Sequence, residues 1–249
     1  MDTPLRKRIE GRRAAVLAGL AVGTYAIGLP VDQYGGLAGQ LALSVWTWGV
    51  FFLFLRGASP QRRAQYFACL AWSAAGELFL SLVWGLYSYR LGNVPLFVPP
   101  GHVLLLYLGL TAAPRLPRRV VAAVAIAAAA YATAAWAGRF DTMSVLLAAL
   151  FLLCMASREN RSLYAAMFLL STAAELYGTW VGNWAWHPNV PYLGLTSMNP
   201  PLAVGAFYCV LDLLIALTVR RTSAFRVERD EAMRGPPGGT AFHVVSESN

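Results

Sequence analysis

Three carboxylates stand inside otherwise apolar stretches of this chain: Glu77 in SAAGELFL, Glu175 in STAAELYG and Asp212 in CVLDLLIAL. A charged group in hydrocarbon costs roughly 2.5–3.5 kcal/mol on insertion scales, so acids in such places face an interior and mark function. At the helical rise, Glu77 lies about 15 Å below Tyr87, Glu175 about 13 Å below Trp184 and Asp212 about 15 Å below Leu202, close to a common level. No Lys or Arg in the same stretches neutralises them. A carboxylic acid kept neutral in a dry cavity is a proton donor, and the three are the candidate catalytic groups. The bland alternative is a neutral acid hydrogen-bonded to a neighbouring helix as a packing device.

The surroundings of two of these acids echo each other. SAAGEL before Glu77 returns as STAAEL before Glu175, Tyr87-x-Tyr89 as Trp184-x-Trp186, NVP at 93–95 as NVP at 189–191, and Pro99-Pro100 as Pro200-Pro201. An internal repeat follows, with gaps of one to a few residues in the loops. Trp84, Tyr87, Tyr89, Trp180, Trp184 and Trp186 gather at the outer ends of the two motif helices. Aromatic residues there form an interfacial belt, or line a cavity and stabilise a carbocation through their π faces. Asn93, Asn183 and Asn199 add polar groups that could fix a substrate or a water, and the loop prolines shape the site rather than act in it.

The 249 residues that must hold these groups are 57% hydrophobic and only 13% charged, with mean hydropathy +0.51. Such a chain is a polytopic membrane protein rather than a soluble domain. Runs able to cross a bilayer are Ala14–Leu29, Gly35–Leu55, Ala64–Leu86, Gly101–Ala113, Val120–Gly138, Thr142–Ala156, Leu163–Val181 and Leu202–Val219. The expected fold is an all-α bundle of eight transmembrane helices, seven if a short fourth or sixth run fails. The membrane domain is 1–221, with repeat halves at 14–113 and 120–219, and 222–249 reads as a disordered cytoplasmic tail. The basic start, MDTPLRKRIEGRR, leads into a run that ends in GLP rather than a small-x-small cleavage site, so it is expected to stay as the first span.

The net charge of +8 follows membrane orientation rather than nucleic-acid binding. If every run crosses, all of the 20 Lys and Arg residues except Arg90 and Arg139 fall on one side. That side is the cytoplasm by the positive-inside rule, and both termini lie there. The halves then enter from the same side, as a parallel repeat, and the motif loops lie opposite. Cys69, Cys154 and Cys209 stand in apolar runs as small buried hydrophobes. His102 and His187 lack metal-ligand spacing, and no phosphate loop, nucleophile elbow or dinucleotide fingerprint occurs, so neither a metal nor a cofactor is expected.

The second motif, a glutamate followed by GNWAWHPNVPYLGLTSMN, resembles the GxWxW, Tyr-x-Gly, Asn signature of the integral membrane carotenoid hydratases of the bacterioruberin and myxol type. The first, Glu77 with GLYSYRLGNVPLFVPP, resembles that family's GxYxY, Leu-Gly, Val-Pro segment. The resemblance implies a hydratase or cyclase of the bacterial cytoplasmic membrane acting on a carotenoid or other isoprenoid lipid. It implies Glu77 and Glu175 as proton donor or base, Tyr87, Tyr89, Trp184 and Trp186 as cavity wall, and Asn199 as a polar positioner. Asp212 rests on depth and charge alone. A proton-coupled transporter or channel is the competing class, since a parallel repeat with mid-membrane acids suits it too. The Ala- and Leu-rich spans, poor in Ser, Thr and Asn, favour the enzyme.

Overall fold

The structure, a computed structural model, describes the backbone of residues 4–234 and the side chains of 10–221. It is helical, with two short strand pairs at one end. The first helix, α1 (Pro4–Leu55), is two helices joined at Gly36, whose φ of 61° only glycine adopts freely. The arms 4–35 and 37–55 fold back on each other as an antiparallel hairpin. Trp46 Nε1 donates to Thr24 Oγ1 at 2.9 Å, and Gly28 and Gly39 admit Leu43 and the Val31 carbonyl where a Cβ would not fit.

After the hairpin comes α2 (Pro60–Glu77), started by the Ser59 hydroxyl accepting from the Arg62 amide and by Pro60 at the first helical position. A π-helical turn (Leu78–Val83) extends it, followed by β1 (Tyr87–Tyr89) and α3 (Val98–Ala112). The second half repeats the order: α4 (Arg118–Gly138), α5 (Met143–Met155), α6 (Arg161–Val181), β2 (Trp184–Trp186) and α7 (Gly205–Arg234). A small ribbon of β3 (Asn189–Val190) and β4 (Leu195–Thr196) sits between β2 and α7. The helix α7 continues past Arg221, where the sequence placed the start of a structureless tail, and residues 235–249 of that tail lie outside the described residues.

Among the described residues, three helices are long and apolar enough to cross a membrane: Glu10–Leu55, Pro60–Val83 and Arg118–Gly138. Eight crossings are not supported on that criterion. For α3 and α5 the reason is length, 15 and 13 residues against the ~20 that span a bilayer, whereas α6 and α7, with 21 and 30 residues, are long enough but not apolar enough. What stands is a helical fold with membrane-spanning candidates.

The centre is a ring of α2, α3, α6 and α7, each packed on the next. The two halves meet in β1 and β2, which pair antiparallel with Tyr87 opposite Trp186, Ser88 opposite Ala185 and Tyr89 opposite Trp184. Because Tyr87 and Tyr89 are the counterparts of Trp184 and Trp186, this register is a two-fold relation centred on Ser88 and Ala185. The α1 hairpin packs on α3 and reaches α6, while α4 and α5 pack on α6 and α7.

Candidate functional site

Alternation along a strand puts residues two apart on one face. Tyr87 and Tyr89 therefore share the inward face of β1, and Trp184 and Trp186 that of β2, while Ser88 and Ala185 between them are exposed. The inward rings reach the two glutamates. Tyr87 and Tyr89 donate from their hydroxyls to Glu77 Oε2 at 2.7 and 2.6 Å. Trp184 and Trp186 donate from their indole N–H groups to Glu175 Oε2 at 2.8 and 3.2 Å. Each acid is thus gripped by the ring pair of its own repeat. The aromatic pairs are not a belt at the surface, since Tyr87, Tyr89 and Trp186 are buried.

A third group completes each acid. The His102 Nε2 of α3 lies 3.4 Å from Glu77 Oε1, and the Tyr208 hydroxyl of α7 donates to Glu175 Oε1 at 2.9 Å. These two rings stack on each other, centroids 5.0 Å apart and planes within 9°, and so connect the two acids. His102 Nδ1 sits 3.0 Å from the Val98 carbonyl, which only accepts, so Nδ1 carries a proton. The other ring nitrogen, Nε2, is the one that faces Glu77 Oε1.

Both acids line the same two hollows. One, of about 290 Å³, runs between α2 and α7 and is walled by Tyr87, Trp186, Phe207, Leu80 and Leu211. The other, of about 40 Å³, lies on the opposite side of the acids between α3 and α6, under the α1 hairpin. Tyr25 of that hairpin lines it and donates to the Gly101 carbonyl at 3.1 Å. The two-fold relation exchanges these positions, α2 and α7 with α6 and α3. Only the α3–α6 side is covered, because α4 and α5 pack toward α6 and α7 instead of across the α2–α7 seam.

Other residues expected at the site do different work. Asn183 is buried and donates to the Leu29 carbonyl at 2.9 Å and to Asp32 Oδ2 at 2.6 Å, and Asp32 also pairs with Arg90 at 3.2 Å. This cluster ties the α1 corner to the end of β1 and the start of β2, since the Arg90 amide donates to the Asn183 carbonyl. Asn93 donates to Gln40 Oε1, and Asn199 Oδ1 accepts from the Trp186 amide at 2.8 Å. The asparagines brace loops rather than line the hollows. Trp84 donates to the Pro191 carbonyl, pinning the second loop, and Trp180 is 80% exposed and points away. Asp212 is buried but lines neither hollow, and among the described residues its two oxygens have no hydrogen-bond partner.

The groups that sequence reasoning passed over are Tyr208, Tyr25, His102 and Asp32. For Asp32 a signal existed: Arg90 is one of two basic residues on the side otherwise free of them, and such a charge needs an acid. Tyr208 sits in an apolar helix with nothing to distinguish it.

Comparison of the chain with protein-family profiles, curated proteins and solved structures gives no match.

Proposed function

We propose that this chain is a membrane-embedded acid–base catalyst that hydrates or cyclises an isoprenoid lipid, a carotenoid being the substrate class the motifs suggest. The observation that carries the reading is the meeting of Glu77 and Glu175, from two repeat halves, in the walls of one apolar hollow. Isoprenoid chains offer no group to bind except carbon–carbon double bonds, and the chemistry such a bond undergoes without a cofactor is protonation.

In this scheme the Glu77–His102 pair gives its proton to a terminal double bond. The bond's electron pair becomes the new C–H bond, and a tertiary carbocation remains. The π faces of Tyr87 and Trp186, 4.6 Å apart, stand beside it, and the Glu175 carboxylate, held by three donors, is its counter-charge. Water adding to the cation gives up a proton to Glu175, and the net change is one added water. With water kept out, an internal double bond captures the cation and loss of a proton to Glu175 leaves an isomer of the starting lipid. In either case one proton enters and one leaves, so the proton taken up by Glu175 has to return to the Glu77–His102 pair before the next turnover.

The lipid enters sideways from the bilayer through the α2–α7 seam, the one not covered by a hairpin. The arginine-bearing loops lie in the cytoplasm in this arrangement. A transporter would instead need its hollow to open toward the two aqueous ends.

The test is mass profiling of lipid extracts from cells carrying the wild-type chain, Glu77→Gln, Glu175→Gln or no chain. The expected result is a lipid heavier by one water, or an isomer, that depends on wild type and is lost with either substitution while the protein still inserts. Unchanged lipids with wild type, or full product from both variants, would remove the proposal.

A further inference from the structure

The end of the bundle opposite the strands carries another cavity, unrelated to the two acids. It measures about 720 Å³ and lies between α4, α5 and α6. Its rim holds Arg118, Arg158 and Arg161, and its inner walls are apolar, with Val121, Ala125, Leu152 and Met155 among them. Arg118 and Arg161 are the first residues of α4 and α6. Neither helix start has an acidic residue in its first turn or a side-chain cap, so both positive helix ends face the rim uncompensated.

The three arginines are not equivalent. Arg161 Nε donates to the Met155 carbonyl at 2.7 Å and so closes the corner between α5 and α6. The first half does the same with Arg63 Nε and the Leu55 carbonyl, at 3.2 Å. Arg161 is therefore a brace. Arg118 and Arg158 have no hydrogen bond or ion pair among the described residues. The Glu159 carboxylate beside them is turned to Arg220 at 3.6 Å. In the first half the corresponding corner is filled from within, for the Arg13 guanidinium lies against Gly57 where no Cβ would fit. The second half leaves that place open.

We propose that this cavity binds an anionic, phosphate-headed membrane lipid, the phosphate on Arg118 and Arg158 and an acyl chain along Val121, Ala125 and Leu152. Two guanidinium groups beside two helix N-termini match a phosphate, and basic pockets between helices at the cytoplasmic face take such heads. A free anion would leave the apolar walls below unused, whereas an amphiphile covers rim and wall together. The lipid fills in the second half the place that Arg13 fills in the first. It steadies the α4–α5 hairpin on the ring without taking part in the chemistry of the acids.

The experiment is native mass spectrometry of the full chain in detergent. Phosphatidylglycerol, phosphatidylcholine or inorganic phosphate is titrated, and the thermal midpoint is followed in parallel. Wild type is expected to retain phosphatidylglycerol and gain a higher midpoint with it, and to do neither with phosphatidylcholine or phosphate. Arg118→Gln with Arg158→Gln should weaken retention roughly tenfold or more. Arg12→Gln with Arg56→Gln, which removes the same charge from the first half, should leave it within about twofold. Equal retention of phosphatidylcholine by wild type would overturn the proposal, as would displacement of the lipid by inorganic phosphate. So would an equal loss in the Arg12 and Arg56 variant. The wild-type arms decide the matter even if the Arg118 and Arg158 variant does not fold, and they do not depend on any catalytic activity.

Discussion

Gly178→Ala is a sharp test of how the strand pair serves the acids. A Cβ at Gly178 would fall well inside contact distance of Cη2, Cζ2 and Cζ3 of Trp184, all in a rigid ring with no flexible end to move aside. Trp184 must then shift, and its 2.8 Å bond to Glu175 is lost. Overpacking costs about 1–3 kcal/mol, and a hydrogen bond to a carboxylate contributes about 1.5–3 kcal/mol. Against these stands a gain of about 1 kcal/mol from replacing glycine by alanine within a helix. The balance is a loss of roughly 1.5–5 kcal/mol. Gly76 is the control, one residue before Glu77 on the equivalent helix, where a Cβ meets nothing within 4 Å. Gly76→Ala should leave stability unchanged or raise it by up to about 1 kcal/mol. The assay is unfolding in detergent followed by tryptophan fluorescence, together with product formation in cells. Equal midpoints for the two variants, with product retained in Gly178→Ala, would refute the claim that Trp184 is held against α6 to reach Glu175.

Asp32→Ala removes the acid between Arg90 and Asn183 and should cost roughly 3 kcal/mol in the same unfolding assay, because a largely buried guanidinium loses its partner. Trp186→Leu should lose product more than Trp186→Phe if π faces stabilise a cation, whereas Trp180→Leu, on an 80% exposed ring, should keep product at the wild-type level. Asp212→Asn should leave product formation within about threefold, since this acid lines neither hollow, and its loss on the scale of Glu175→Gln would return Asp212 to the mechanism. A reporter fused after Arg119 should lie in the cytoplasm and one inserted near Asn93 outside it, and the reverse would discard the proposed orientation.

The helical, membrane-like character and the paired motifs were legible in the chain because hydropathy and local repetition are one-dimensional signals. The spacing of the motifs even carried a trace of local structure. Tyr87 is ten residues after Glu77 and Trp184 only nine after Glu175, and the π-helical turn Leu78–Val83 absorbs the additional residue in the first half. The pairing of β1 with β2 was not legible, since three-residue strands far apart in sequence are recognised only by their partners. Tyr-x-Tyr and Trp-x-Trp therefore left an interfacial belt and a cavity wall both open until the register turned the rings inward. Asp212 misled for the opposite reason: matching depth along a helix says nothing of direction around it. The number of crossings also outran the structure, because α3 and α5 are too short to span, and α6 and α7 are long but not apolar enough.

The two-fold relation through Ser88 and Ala185 bears on how a long molecule can lie in the hollow. A perfectly symmetric pair of halves would hold a chain equally well in either direction, and a symmetric chain could be attacked from both sides at once. Here phenols and an imidazole attend one glutamate, indoles and a phenol the other, and a hairpin roofs only one flank. The hollow has a front and a back, so that under the proposed chemistry a linear guest threaded through the open flank would present one end to Glu77 before the other, and would have to leave and turn round before its far end could react.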